Sequence, residues 1–316
     1  MRSFIKWVGG KHQLIEQIVP TFPRQVGTYF EPFVGGGAIF FALASEDPRR
    51  FEKAVLCDVN RELINLYKAV RSFPQDLMKF LRELEDEYEK APKETYLKWR
   101  GMSLSTLDSL QLAARFILLN KAGFNGLYRV NKKGGFNVPW GQKPTVSLFD
   151  EKNLLKCSHA LEHFTSIHHR DFTFVLDQAK EGDLVYFDPP YVPVSTTSNF
   201  TAYSSDGFGP KDQQRLAETF RELHKKGVYV VLSNSDTSEI RSLYEGFDIQ
   251  AISAKRAINS KGDKRGPVGE VLVYSRQVPL AQEKEIVPPV CPVCGKKPLT
   301  WRCPKKCIVE EDAVGV

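Results

Sequence analysis

The chain has 316 residues, of which 42% are hydrophobic, and its 44 lysines and arginines against 38 acidic residues give a net charge of +6. The longest apolar runs are far too short to span a bilayer, and the N-terminus lacks the hydrophobic core of a signal peptide. Composition therefore excludes a membrane protein and predicts a soluble, cytoplasmic one. The modest basic excess suits a polyanionic partner without identifying it.

Strand and helix patterns alternate near the N-terminus. Helices are predicted at residues 13–19, 38–45 and 61–70, and strands at residues 28–33 and 53–57. This βαβ succession predicts an α/β sheet.

The middle of the chain interrupts that succession. Residues 73–120 are helical and charged, which indicates an insertion. A turn signal at residues 131–135 separates residues 127–130 from 136–138 and predicts a β-hairpin near 126–140. Further strands are predicted near residues 166–168, 183–187 and 228–232, with a final antiparallel hairpin of residues 247–253 and 270–274.

These patterns predict a discontinuous catalytic domain with an insertion, a linker, a small C-terminal module and a tail. Its two parts are residues 1–66 and 165–275, and the insertion is residues 67–164. The proline-containing residues 276–290 are interpreted as a linker to a cysteine-rich module at 291–307, followed by a frayed tail at 308–316.

A glycine-rich turn follows the first predicted strand. Residues 31–37 read Glu-Pro-Phe-Val-Gly-Gly-Gly, where glycines let the backbone turn tightly beneath a ligand. The spacing does not match a dinucleotide fingerprint, because positions 39 and 40 are Ile39 and Phe40. A turn without a ligand is the alternative. Asp58 ends the next strand, where it could accept hydrogen bonds from ribose hydroxyls or cap the following helix.

The string Asp188-Pro189-Pro190-Tyr191 directly follows an apolar strand. The carboxyl ends of strands in an open α/β sheet face the binding crevice, so this loop should face a ligand. An exocyclic amino group on a nucleobase is a poor nucleophile, because its lone pair is conjugated with the ring. The Asp188 carboxylate and the Pro189 carbonyl could accept its two N–H groups, and Tyr191 could stack on a base taken out of the duplex.

These motifs together resemble the Dam-type D12 class, group alpha, of N6-adenine DNA methyltransferases over about residues 4–275. The strings that carry the resemblance are residues 4–11, 31–37, 58–60, 125–129, 136–139 and 188–191. It implies a class I, Rossmann-like sheet that binds S-adenosylmethionine. The contacts it implies are Trp7, Lys11, Asp58 and Asp188, a frame of Phe33 with Gly35, Gly36 and Gly37, and Asp171 with Phe172 at the cofactor's adenine.

The resemblance also implies that the insertion is a target-recognition domain that contacts double-stranded DNA. The DNA-binding residues expected on or after the hairpin are Arg129, Asn131, Lys132, Lys133 and Lys143. A solvated basic hairpin is the alternative. Lys255 and Arg256 resemble phosphate contacts, and residues 199–203 resemble a loop that closes over the target base. Relatives of this type commonly recognise GATC, although Lys132-Lys133 stands where a leucine and an arginine are expected.

The six cysteines fall into two groups. Cys291, Cys294, Cys303 and Cys307 form two close pairs near the C-terminus, which predicts a structural zinc knuckle, with free thiols or disulfides as alternatives. The isolated Cys57 and Cys157 do not follow prolines, which argues against the thiolate chemistry of C5-cytosine methylation.

The leading hypothesis is an adenine-specific DNA methyltransferase that needs no catalytic metal. N4-cytosine methylation is the runner-up, because the same geometry serves any conjugated amino group. A silent DNA-binding protein that works through its zinc knuckle is the alternative outside enzymes. We expect a monomer on DNA and leave open whether it serves beside a restriction endonuclease, in a virus or in housekeeping methylation.

Overall fold

Seven strands form one sheet in the computed structural model, which describes residues 1–131, 134–192, 207–253 and 269–275. The strands are β1 Val26–Glu31, β2 Phe51–Asp58, β3 Thr165–His169, β4 Leu184–Phe187, β5 Tyr229–Ser235, β6 Asp248–Ile252 and β7 Glu270–Tyr274. Their spatial order is β3-β2-β1-β4-β5-β7-β6. The first five run parallel, whereas β7 is antiparallel to both β5 and β6. The predicted mixed α/β, Rossmann-like sheet is therefore confirmed.

Strand order reverses between β1 and β4. The chain passes outward from β1 through β2 to β3, then returns to place β4 against the other side of β1. All four residues of β4 are buried, as expected for a parallel strand covered on both faces. A crevice opens at such a reversal, beyond the carboxyl ends of the strands.

Ten α-helices lie in the described part of the chain. They are α1 Ile15–Ile18, α2 Ala38–Leu43, α3 Arg61–Ser72, α4 Pro74–Lys90, α5 Pro92–Gly101, α6 Ser109–Ala122, α7 Glu151–His163, α8 Val175–Gln178, α9 Pro210–Lys225 and α10 Ser238–Leu243. Helix α3 begins where the Asn60 side chain accepts a hydrogen bond from the Leu63 amide at 3.0 Å. Asp108 and Gln111 form a reciprocal capping box at the start of α6.

The predicted helical character of residues 73–120 is confirmed by α4, α5 and α6. These helices share a hydrophobic core with the sheet, since Leu77, Leu81 and Phe116 belong to the same buried cluster as Tyr29 and Tyr186. The predicted domain boundary at residue 66 falls inside α3. Assignment of residues 67–164 to target recognition stays a prediction.

Some elements differ from their predicted form. The helix predicted at residues 13–19 is broken into α1 and flanking 3₁₀ turns, and β1 ends at Glu31, which leaves Phe33 in the turn. The predicted hairpin is confirmed, with little pairing between its two arms. Val130 and Phe136 form an isolated antiparallel bridge, and the Asn137 amide donates to the Arg129 carbonyl at 3.1 Å.

Every described residue belongs to one compact unit, Met1–Val278. A second unit, Pro279–Val316, contains the four clustered cysteines and the predicted tail. This unit and the whole of the predicted linker at residues 276–290 lie outside the described residues. None of the helices described here is long and apolar enough to cross a membrane.

Candidate active site

A cavity of about 1180 Å³ opens at the carboxyl ends of β1, β2 and β4. Its walls come from the N-terminal segment, the glycine turn and the loops that follow the strands. The predicted residues that line it are Trp7, Lys11, Phe33, Gly35, Gly36, Gly37, Asp58, Asp171, Phe172, Asp188, Pro189, Pro190 and Tyr191. The fold thus brings together both the expected cofactor contacts and the expected catalytic loop.

Asp188 and Lys11 form an ion pair in this cavity. The Lys11 Nζ lies 2.8 Å from the Asp188 Oδ1, and the lysine side chain is only 4% exposed. Ser233 Oγ donates to the same carboxylate oxygen at 2.9 Å. Burial raises the pKa of Asp188 and the Lys11 charge opposes that rise. Within the described residues, no hydrogen bond reaches the other oxygen, Oδ2, which is left to accept from a ligand.

Buried polar side chains fix the loop that follows Asp188. Gln213 donates to the Pro190 carbonyl at 2.9 Å, and Asn234 donates in turn to Gln213 at 3.2 Å. Ser235 Oγ donates to the Val192 carbonyl at 2.9 Å. The Pro190 carbonyl is thus occupied, whereas the described part of the chain supplies no donor to the carbonyl of the preceding proline, Pro189.

Tyr191 is held at both its ring and its hydroxyl. The hydroxyl donates to Glu270 Oε2 at 2.8 Å, and the Lys11 ammonium lies 4.6 Å from the ring centroid. Burial, reinforced by the negative charges of Asp188 and Glu270, raises the pKa of Tyr191. The phenol therefore stays protonated and keeps its hydrogen bond.

The glycine turn fits closely beneath Trp7. Gly35 has a φ of +46°, and a Cβ there would lie 2.6 Å from the Trp7 ring. Gly37 has a φ of +67°, and its Cβ would meet the Tyr67 hydroxyl at 2.5 Å. These positions require glycine, because L side chains disfavour positive φ and the space is already filled.

Asp58 bridges the end of β2 and the glycine turn. Its Oδ2 accepts from the Gly35 amide at 3.1 Å and its Oδ1 accepts from the Asn60 amide at 2.9 Å. Burial raises its pKa to about 6, although both amides oppose the rise. The alternative role of Asp58, as the cap of the following helix, is wrong, because Asn60 caps α3.

Aromatic rings form one end of the cavity. Phe33 stacks on Phe172 with ring centroids 5.4 Å apart and meets Phe208 edge-on at 5.7 Å. Asp171 Oδ1 accepts from Arg215 at 2.9 Å and caps the short turn that begins at Phe172. Asp171 thus has a structural task that the sequence did not suggest, beside its place in the cavity wall.

Glu31 is a buried carboxyl in the cavity wall that sequence reasoning left unassigned. Its Oε2 accepts from the Tyr29 hydroxyl at 2.8 Å and from the Phe40 amide at 3.1 Å. Burial raises its pKa to about 8, with a smaller contribution from the charge of Asp188. The carboxyl thereby links β1 to the start of α2, directly behind the glycine turn.

Three expected DNA-binding residues are described by the structure, Arg129, Asn131 and Lys143, and none of them lines this cavity. Arg129 is exposed, and its Nε donates to the Asn137 side chain at 2.7 Å. The Asn131 side chain accepts from the Gly135 amide at 3.0 Å and so closes the turn of the hairpin. The Lys143 ammonium donates to the Lys121 carbonyl. Four expected DNA contacts, together with the expected base-closing loop, lie outside the described residues: Lys132, Lys133, Lys255, Arg256 and residues 199–203.

Further residues of the site escaped sequence reasoning. Ser233, Asn234 and Ser235 end β5 at the same edge of the sheet as Asp188, and this polar run after an apolar strand was a usable signal. The cavity is also lined by three cations, Arg2, Lys6 and Lys121. Burial and the charges of Lys6, Arg2 and Lys143 lower the pKa of Lys121.

Comparison with known proteins agrees with this geometry. The model of the D12 class N6 adenine-specific DNA methyltransferase family matches residues 7–258. The Type II methyltransferase M.MjaIII of Methanocaldococcus jannaschii is 42% identical over 84% of this chain and 95% of its own length. The Type II methyltransferase M1.LlaDCHI of Lactococcus lactis subsp. cremoris is 40% identical over 86% of this chain and 95% of its own.

A DNA adenine methylase of Vibrio cholerae is 37% identical, again over 86% of this chain and 95% of its own length. The family match covers the glycine turn, Asp58, the Asp188 loop and the hairpin, and it ends before the clustered cysteines. The resemblance predicted from the sequence is confirmed. The chain belongs to the D12 class N6 adenine-specific DNA methyltransferase family.

Proposed function

We propose that this adenine-specific DNA methyltransferase takes its methyl group from S-adenosylmethionine and transfers it to the N6 amino group of an adenine rotated out of duplex DNA. The observation that carries the proposal is the Lys11–Asp188 ion pair, held in a cavity of about 1180 Å³ at the carboxyl edge of the sheet. A decayed, silent protein would have no need to keep a buried lysine in contact with a carboxylate in this cavity.

The residues that line the cavity suit the chemical groups of S-adenosylmethionine. The glycine turn offers a cradle that a Cβ would fill, and Asp58 ends the neighbouring strand with carboxylate oxygens suited to ribose hydroxyls. Phe33, Phe172 and Asp171 present flat apolar faces and an acceptor suited to an adenine ring. When bound, the cofactor supplies a sulfonium methyl group whose bond to sulfur breaks as a bond to nitrogen forms.

Asp188 and Pro189 act on the amino group of the base. The Asp188 Oδ2 accepts one N–H, while Lys11 and Ser233 hold the other carboxylate oxygen in place. The Pro189 carbonyl accepts the second N–H. Together these acceptors draw the nitrogen toward tetrahedral geometry and free its lone pair to form the bond to the methyl carbon, so no covalent enzyme intermediate is needed. The nitrogen then loses one proton along its hydrogen bond to the Asp188 carboxylate, from which the proton passes to solvent.

Tyr191 stacks on the extruded base. Its ring already carries the Lys11 ammonium near one face, which leaves the other face for a nucleobase. Extrusion exposes an amino group that the duplex otherwise hides.

The hairpin around Arg129 and Asn131 reads DNA, with Lys143 near its base. Exposed cationic and amide side chains suit phosphate and base-edge contacts. The target in this proposal is GATC or a related GAT-containing site, because the resemblance is to a family whose members commonly recognise it. Relatives with Type II names also favour a role beside a restriction endonuclease. Zinc at Cys291, Cys294, Cys303 and Cys307 stays a prediction.

Cofactor use is tested by isothermal titration of S-adenosylmethionine into the protein and into the Asp58→Ala variant. We expect binding to the protein and binding about ten- to a hundredfold weaker in the variant, because a charge-assisted hydrogen bond to the ribose is lost. Absence of binding to well-folded wild-type protein would support the silent alternative.

Base extrusion is tested with duplex GATC DNA that carries 2-aminopurine in place of the target adenine. Its fluorescence should rise on binding, because unstacking removes quenching by neighbouring bases. A duplex with 2-aminopurine outside the site is the matched control. Equal changes in both duplexes would count against extrusion at GATC.

A further inference from the structure

We propose that Glu270 is a positioning residue for methyl transfer, which acts by holding the hydroxyl of Tyr191 so that the ring is ready to stack on the target base. The inference rests on the proposed function, because it presupposes that Tyr191 stacks on an extruded adenine. Glu270 lies in β7, the last described strand along the chain, and is distant in sequence from the motifs that carry the family resemblance.

The contact lies between two parts of the fold that meet at the carboxyl edge. Glu270 is the first residue of β7, where its backbone pairs with Ser235 of β5 and Ile252 of β6. Its side chain reaches the loop after β4, and its Oε2 accepts from the Tyr191 hydroxyl at 2.8 Å. The strand holds the backbone of Glu270, so its side chain is free to serve the loop.

This hydrogen bond fixes an angle that the loop alone leaves open. Gln213 and Ser235 hold the loop backbone at Pro190 and Val192, but backbone contacts do not set the rotamer of Tyr191. The bond from Glu270 fixes the far end of the ring. A ring fixed before DNA arrives loses less conformational freedom when a base stacks on it, which is the general advantage of preorganisation.

The charge on Glu270 also supports the contact between Tyr191 and Lys11. A phenol that donates to a carboxylate has a more electron-rich ring, and the Lys11 ammonium lies 4.6 Å from the centroid of that ring. Lys11 also pairs with Asp188, so Glu270, Tyr191, Lys11 and Asp188 form one connected set. Loss of Glu270 should therefore affect the step in which the base is held more than the binding of cofactor.

A double-mutant cycle tests the inference on the full-length protein. The variants are Glu270→Ala, Glu270→Gln, Tyr191→Phe and the double variant Glu270→Ala/Tyr191→Phe, with the exposed Glu245→Ala as a control for charge removal. For each, we would measure kcat and KM for GATC duplex, 2-aminopurine fluorescence, the Kd for S-adenosylmethionine and the melting temperature.

We expect Glu270→Ala to lower kcat/KM for DNA about tenfold, the usual effect of losing one hydrogen bond to a charged group. Tyr191→Phe should lower it by a similar factor, and the double variant should fall no further than Tyr191→Phe alone, because both changes remove the same bond. Glu270→Gln keeps an acceptor and should recover most of the activity. Glu245→Ala should match the wild type.

Two results would overturn the inference. One is a double variant whose loss is the product of the two single losses, which would mean that the residues act independently. The other is a Glu270→Ala variant that loses cofactor affinity by the same factor as kcat/KM and also has a lower melting temperature. That result would mean that Glu270 has a structural role only. If wild-type protein bound cofactor and DNA but gave no 2-aminopurine signal, the proposed function would fail first, and the two failures would be distinguished.

Discussion

The carboxyl edge of the sheet and the hairpin near Arg129 differ in how firmly their polar side chains are held. At the edge, the Asp188 Oδ1 accepts from both Lys11 and Ser233, and buried amides and hydroxyls hold the loop after it. In the described part of the hairpin, Val130 and Phe136 form an isolated bridge, and Arg129 and Asn131 are exposed. Chemistry needs groups fixed before the substrate arrives, whereas recognition can use groups that become ordered on contact. The difference predicts that substitutions in the two regions affect separate steps.

Asp188→Asn should have the largest effect, and that effect should be on the rate of methyl transfer. The change keeps the size of the side chain but removes the charge that draws on the amino group. We expect the single-turnover rate of methyl transfer to fall about 10³-fold, within the range for loss of a general base or a preorganised electrostatic contact. Rates are measured at saturating DNA and S-adenosylmethionine. A rate within a few-fold of wild type would remove Asp188 from the chemistry.

Gly35→Ala tests how tightly the edge is built. The new Cβ would lie 2.6 Å from the Trp7 ring at a φ of +46°. We expect about ten- to a hundredfold weaker binding of S-adenosylmethionine, because strain at positive φ alone costs about 1–2 kcal/mol. Titration calorimetry measures it. Gly101→Ala is the matched control, since its Cβ would meet nothing within 4 Å. Similar affinities for the two variants would contradict the close fit.

Arg129→Ala should act on the other region alone. Removal of one cationic side chain from the hairpin should weaken binding to GATC duplex about tenfold, while the affinity for S-adenosylmethionine stays the same. Fluorescence anisotropy with labelled duplexes measures the DNA affinity, and the exposed Arg24→Ala controls for loss of charge. If the rate at saturating DNA fell as much as the affinity, the proposed separation of recognition from chemistry would be wrong.

The pH dependence of cofactor binding should give the smallest effect. Burial raises the pKa of Asp58 to about 6, so the carboxylate begins to gain a proton at a pH where an ordinary aspartate is fully ionised. A protonated carboxyl is a poorer acceptor for ribose hydroxyls, so affinity should weaken several-fold as pH falls from 7 through about 6. Titrations across that range measure it. Asp58→Asn should flatten the profile, and an unchanged slope in this variant would assign the dependence to another group.

The sequence predicted the local features of the fold better than the contacts between them. Alternating patterns identified the strands, and polar residues after apolar strands identified Asp58 and Asp188, because both signals are local in the chain. The ion pair of Lys11 with Asp188 depends on how the N-terminal segment crosses the sheet edge, so no spacing shows it. Only the resemblance to a family predicted that Lys11 and Asp188 contact the same cofactor.

Residues that act through other residues were missed altogether. Glu31 looked like part of a glycine-turn motif, and only the fold shows that it links Tyr29 to the start of α2. Glu270 looked like an ordinary residue of an edge hairpin. Its side chain meets Tyr191 because β7 inserts antiparallel beside β5, a long-range arrangement that periodicity alone does not encode.

Nucleoside mass spectrometry tests the central claim most directly. Duplex DNA containing GATC is incubated with the purified protein and methyl-deuterated S-adenosylmethionine, then digested to nucleosides. We predict labelled N6-methyladenine, no labelled N4-methylcytosine and no label when the Asp188→Asn variant is used over the same time. Label confined to N4-methylcytosine, or label in neither nucleoside with well-folded wild-type protein, would contradict the assignment of this cavity to adenine N6 methylation.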